Sequence, residues 1–387
     1  MPALYTGGTS GEHSGRISGA GLPAGGPQRQ TKPPLARGPY ARGVGTRLSN
    51  RALTPGPSPG AGGDGRGGPA SSAILSPVPV RTEQREGRMA DLEQLLISTS
   101  RTFALAIPLL PEPTRLEVTL SYLLFRVADT FEDAASWPRS LRVEALARFD
   151  ELLANPGREE IEEVSRRWAE EVPCEQLGYQ ELLAALPFVL DSFFALSPEA
   201  VAMIREHVLR TSRGMAGFVS RTDDHGELRL RDVPDLQAYC YVVAGIVGEL
   251  LTELFLLGRP HLDAVALPLR ERSRGFGEGL QLVNILKDSA ADATEGRRYL
   301  PDGVDRVEVM ALARRDLQEA REYVLTLQSA GAERGLVAFV ALPVRLATAT
   351  LDRIEQAGPG SKLTRPEVYA IVQGMNRALD QGEPAVG

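Results

Sequence analysis

Asp129, Glu132 and Asp133, in the stretch "DTFEDAA" (129–135), stand at i, i+3 and i+4. On a helix those positions share one face, where like charges repel by about 0.2–0.5 kcal/mol per pair. The stripe continues upstream through Arg126 and Tyr122 and is bordered by Leu123, Leu124, Phe125 and Val127. Taken alone, it reads either as a solvated face or as the lining of a polar pocket. A second stripe changes the balance. In "QLVNILKDSAADATEGRRYLP" (281–301), Gln281, Asn284, Asp288 and Asp292 recur at spacings of 3, 4 and 4, and Arg297, Arg298 and Tyr299 follow directly. Two helices therefore each present two aligned aspartates, with arginine close to both. Hard carboxylate oxygens in pairs suit Mg²⁺, which takes one or two carboxylates and completes its shell with phosphate oxygens. Arginine's planar fork binds the same phosphates.

Between these stripes the chain is apolar and rich in small residues. Ala244, Gly245 and Gly248 lie in "YCYVVAGIVGELL", and Phe339, Ala341 and Pro343 lie in "FVALPVR". A hydrophobic helical cavity lined by them, with a metal and diphosphate mouth, fits a long prenyl diphosphate. Such a mouth stabilises departing diphosphate, and a dry interior shields an allylic carbocation from water.

The elements that must hold these residues are helices. The periodicity predicts helices over 91–105, 114–136, 139–154, 157–171, 178–196, 198–220, 233–257, 262–293, 304–330, 333–357 and 365–380. Alternating strand patterns are essentially absent, so the fold expected is all-α, a single helical domain. "SPEA" (197–200) and "TRPEVYAI" (364–371) carry cap and N-terminal proline signals. "RGFGEGLQ" (274–281) lacks the preceding strand of a phosphate loop and reads as a helix kink. Trp168 is expected to anchor the charged helix 157–171 to the core. Cys240 reads as a buried small apolar residue, while Tyr239 and Tyr241 suit either the core or a substrate-facing position.

The first 88 residues differ in kind. They hold 19 of the 39 glycines, 12 of the 28 prolines, and 11 basic against 4 acidic side chains. Without an apolar period such a segment cannot recover the entropy of ordering, and disorder is expected. The folded domain is expected over 89–387, with Met89 as the favoured true start. The net charge of −7 gives no reason to expect nucleic acid. Two isolated cysteines and four scattered histidines point to a reduced, intracellular chain without a zinc site. No 18-residue apolar run is uninterrupted, so no transmembrane helix is expected. The expected location is cytoplasmic, with peripheral membrane contact for release of an apolar product.

Over 95–375 the chain resembles the squalene/phytoene synthase family, which joins two prenyl diphosphates head to head. The resemblance rests on "SRTF" (100–103), "YLLFRVADTFED" (122–133), "GMAGF" (214–218), "YCYVVAGIVG" (239–248), the 281–301 segment and "FVALP" (339–343). It implies an all-α bundle of the isoprenoid-synthase type around a central cavity, and two substrate molecules bound at once, with Asp129, Asp133, Asp288 and Asp292 holding Mg²⁺ and Glu132 in support. It also implies that Ser100, Arg101, Phe103, Arg126, Gln281, Asn284, Lys287 and Arg297 contact diphosphate or the substrate beside it. Tyr122 matches a tyrosine that handles the proton or carbocation of the first step.

Three positions depart from the family pattern. Lys287 and Ala291 replace a common Arg and a common Glu. Val242 stands where eukaryotic squalene synthases place a Tyr linked to NADPH-dependent reduction, which counts against NADPH as a cofactor. "DTFED" leans towards two farnesyl diphosphates, giving presqualene diphosphate or squalene. The alternatives are phytoene synthesis from two geranylgeranyl diphosphates and a catalytically silent scaffold.

Overall fold

Apolar residues at helical spacing dominate after position 89, and the computed structural model arranges them as packed helices. It describes residues 80–387 apart from Arg101, Ala135, Asn155, Val172, Asp224, His225, Glu295 and Gly296. The first helix, α1, is Val80–Thr99, so it starts before 91, inside the stretch expected to be disordered. The remainder of that stretch lies outside the described residues.

The helix expected over 91–105 is broken. After α1 come Ser100 and Thr102, then α2 (Phe103–Ala106) and a 3₁₀ turn at Ile107–Leu109. Ser100 Oγ accepts from the Phe103 amide at 3.0 Å, which starts a new helix instead of continuing the old one. There follow α3 (Thr114–Glu132), α4 (Arg139–Leu152) and α5 (Arg158–Glu171). The single helix expected over 178–196 is two, α6 (Leu177–Ala184) and α7 (Leu186–Phe194). Pro187 stands in the first turn of the second; it has no N–H to donate to Leu183 and its ring would crowd that carbonyl, so the earlier helix cannot run through it.

Next come α8 (Pro198–Val219) and a two-residue strand, β1 (Leu228–Arg229). The helix expected over 233–257 is α9 (Val233–Cys240), one π turn at Tyr241–Gly245, and α10 (Ile246–Leu256). A 3₁₀ turn leads to α11 (Ala266–Thr294), and then to β2 (Arg297–Arg298), which pairs in parallel with β1. The chain closes with α12 (Arg306–Ser329), α13 (Arg334–Ala357) and α14 (Arg365–Asp380).

Close packing around α11 explains its glycines. A Cβ on Gly277 would lie 2.0 Å from the Ala244 carbonyl oxygen, and one on Gly248 would lie 2.1 Å from that of Ser273. These residues let α11 touch the π turn and α10 backbone to backbone, and "RGFGEGLQ" lies inside the single helix α11 rather than in a phosphate loop. Ala244, Gly245 and Gly248 serve this contact rather than the cavity wall expected of them. Trp168 is buried with its ring 4.5 Å from that of Phe131, which ties α5 to α3 as expected. Cys240 is fully buried. The run Val233–Leu256 and α13 are long and apolar enough to cross a membrane by composition, but 72% of each apolar window is buried against other helices.

Candidate functional site

α3 carries its polar stripe into the core. Arg126 is buried and donates to the Tyr122 hydroxyl at 3.2 Å, and its Nη1 lies 3.4 Å from Asp129. Its guanidinium also lies over the rings of Tyr122 and Tyr179, 5.5 and 5.2 Å from their centroids. The Tyr122 hydroxyl in turn donates to the Thr99 carbonyl at 2.9 Å, which fixes the ring beside that of Phe103, centroids 5.5 Å apart.

Directly below this pair lies an apolar hollow lined by Phe103, Ile107, Val118, Tyr122, Phe125 and Phe339, among others. Its room is about 20 Å³, close to the space of one water molecule. Side chains all but fill it, so an occupant larger than water requires the lining to part.

The two aspartate stripes meet through one side chain. Arg297 Nη1 lies 3.0 Å from Asp133 at the end of α3, and its Nη2 lies 3.8 Å from Asp292 near the end of α11. The β1–β2 pairing holds Arg297 in place there. One turn back on α11, Asp288 lies 3.0 Å from Lys287 Nζ, which also donates to Asn284 Oδ1 at 3.4 Å. Lys287 is buried, and that burial pushes its ammonium below the usual lysine range. Gln281 is buried on the same stripe.

Glu132 sits apart from this mouth. Its Oε1 accepts from the Tyr239 hydroxyl at 3.0 Å, and Tyr239 stacks on Tyr299 with ring centroids 4.8 Å apart. Burial, reinforced by Asp133 and Asp129, pushes the Glu132 carboxyl up to about 8. The structure places it in a buried tyrosine pocket, close enough to Asp133 and Asp129 for their charges to act on it. Ser100 spends its hydroxyl on capping α2, and Arg101 lies outside the described residues.

Several neighbours were not foreseen. Thr99 and Tyr179 hold the Tyr122–Arg126 pair, and buried Arg142 donates to the carbonyls of Phe131 and Glu132 at the end of α3. An arginine four residues into an ordinary amphipathic helix carries no signal of that role. Tyr241 turns outward, where its hydroxyl accepts from Arg210 at 2.5 Å and Arg274 lies over its ring. Val242 packs against Gly214.

The donor set fits Mg²⁺ in kind: four aspartates on two helices, with arginine and lysine already compensating their charge. Among the described residues no three carboxylate, histidine or cysteine groups converge on one point.

The squalene/phytoene synthase family model matches residues 97–304, which contain every site residue above except Phe339. A squalene synthase of Botryococcus braunii is 29% identical over 204 residues, covering 52% of this chain and 39% of that protein. The squalene synthase of Saccharomyces cerevisiae is 30% identical over 209 residues, covering 54% and 44%. The chain thus spans less than half the length of these curated relatives. Among solved structures, TcSQS in complex with the ligand E5700 superposes with a TM-score of 0.58 at 24% identity, covering 74% of this chain and 85% of that one. That likeness shows a shared all-α fold.

Proposed function

The chain belongs to the squalene/phytoene synthase family, and on that premise we propose that it couples two allylic prenyl diphosphates head to head, 1'-1. The reading favoured is farnesyl diphosphate to presqualene diphosphate, with squalene formed where reduction follows. The observation that carries it is the placement of Arg297 between Asp292 on α11 and Asp133, two helix turns along α3 from Arg126, whose neighbour Tyr122 lines the apolar hollow.

Asp129 and Asp133 on α3, with Asp288 and Asp292 on α11, would hold Mg²⁺, which supplies a Lewis acid for the diphosphate oxygens. Arg126, Lys287 and Arg297 face the same mouth and stabilise the charge that builds as the allylic C–O bond breaks and its electron pair leaves with diphosphate. Tyr122 and Phe103 present ring faces to the hollow, where the cation forms. The apolar lining excludes water from it. The position before "VAG" is Val242, packed on Gly214, and Tyr241 is held outward by Arg210. No tyrosine hydroxyl stands there to assist reduction, so the reading gives NADPH no assigned site. A cytoplasmic enzyme that touches a membrane to release its product fits this chemistry.

The deciding experiment incubates the protein with Mg²⁺ and C15 or C20 diphosphate, with and without NADPH, and identifies extracted products by mass spectrometry. The expected product is a C30 cyclopropyl diphosphate from the C15 substrate. A C30 hydrocarbon that forms only with NADPH would add the reductive step, and a C40 product from C20 alone would reassign the chain as a phytoene synthase. No product and no released diphosphate would leave a silent scaffold.

A further inference from the structure

A second concave site lies away from the aspartate mouth, between α12, α13 and α14. It encloses about 360 Å³, within the range of small-molecule sites, whereas the apolar hollow is nearly shut. Three arginines stand on its wall, with Asp352 and Gly387 beside them, on a chain whose net charge is −7. Arg314 and Arg321 stand seven residues apart on α12, two turns along one face, and Arg345 faces them from α13.

The three arginines differ in their compensation. Arg314 is matched by Asp352 and Glu355, at 2.5 and 2.8 Å. Among the described residues no carboxylate lies within ion-pair distance of Arg321 or Arg345. Arg345 spends its Nε on the Ala385 carbonyl at 2.5 Å, and its guanidinium runs beneath Gly374 of α14. A Cβ on Gly374 would already lie 3.4 Å from Nη1, so a larger residue there would crowd the guanidinium. Arg345 is half-buried, and burial alone moves its ionisation, downward. A partly desolvated cation without a matching anion is costly, and an incoming oxyanion removes that cost. Val344 and Ile371 supply an apolar flank.

We propose that this cleft binds a phosphate- or diphosphate-bearing small molecule, its oxygens held by the forks of Arg321 and Arg345 and its apolar part lying against Val344 and Ile371. Guanidinium forks are matched to tetrahedral phosphate oxygens, and two of them can grip one head group. The site shares no residue with the aspartate mouth, so its ligand binds without a divalent ion.

The test is calorimetry on the full chain carrying Arg297→Gln, which disables the mouth, in EDTA. Inorganic diphosphate and geranyl diphosphate are the probes. Saturable binding is expected, weakened at least tenfold when Arg321→Gln and Arg345→Gln are added, with the melting temperature measured alongside. Arg321→Gln alone, a substitution on the outer helix, repeats the test should the double change unfold the protein, and a loss of about threefold or more is expected. Tighter binding of geranyl diphosphate than of inorganic diphosphate assigns a prenyl head group and its tail. Equal affinities assign the free anion. Absence of binding, or binding that ignores both arginines in a folded protein, overturns the proposal.

Discussion

Arg297 Nη1 lies 3.0 Å from Asp133 Oδ1 across 164 residues of sequence, and the other arm of the same guanidinium lies 3.8 Å from Asp292. One cation thus joins the ends of α3 and α11, the two helices that carry the aspartates. A fixed positive charge there would do two opposite things under the proposed function: compete with a divalent ion for the carboxylates, and attract a diphosphate.

Arg297→Gln separates those effects. Without substrate, Mn²⁺ affinity read by electron paramagnetic resonance is expected to rise several-fold, because the competing cation is gone. Turnover is expected to fall by about 100-fold or more, as for other charge-stabilising donors. Unchanged Mn²⁺ affinity would mean that the guanidinium does not compete with a metal at these aspartates.

Asp129→Asn and Asp288→Asn lie on different helices and test whether both stripes act on one reaction. Each is expected to lower turnover by at least about 10³-fold while leaving the helical circular dichroism spectrum intact. Retained activity in either variant would remove that aspartate from the site.

Gly248→Ala probes the contact of α10 with α11. The new methyl would meet the Ser273 carbonyl oxygen at 2.1 Å, and both atoms sit on helices that cannot yield locally. The expected cost is about 2–3 kcal/mol, with a melting temperature several degrees lower. An unchanged melting temperature would show that the two helices have slack.

Glu278 gives a pH dependence. It is buried on α11, and burial pushes its carboxyl up to about 7, while Arg274 at 2.5 Å offsets part of that effect. The folded state therefore holds this proton more tightly than the unfolded chain does. Its contribution is fully present below about pH 4.5 and is lost as pH rises through 7, on the order of 2 kcal/mol in all. Glu278→Gln is expected to flatten the fall in melting temperature between pH 5 and 8. A fall that persists unchanged would place its origin in other groups.

How far the residues disclosed this arrangement depends on the kind of signal. Helix existence followed from apolar period, and the four aspartates and Arg297 from spacing, because both are local. The breaks at Ser100 and Ala185 were less legible: an apolar period runs through them, and only a cap hydroxyl and a proline mark the change. The seat of Glu132 was not legible at all. Its i, i+3 relation to Asp129 suggested a shared mouth, but Tyr239 comes from 107 residues away and offers a buried hydroxyl instead. Gly245 and Gly248 misled for the same reason. Nothing local tells a residue that lines a cavity from one that admits a neighbouring backbone.

The near-closure of the hollow has a consequence for how the chemistry is kept dry. A site that stands open must drain before a carbocation can survive in it, and any solvent left behind ends the reaction as an alcohol. Under the proposed reaction, Phe103, Phe125 and Phe339 would fill the space until hydrocarbon displaced them, so the chamber would pass from side chain to substrate with almost no aqueous stage between. A guest with too little hydrocarbon would then fail to hold these rings apart.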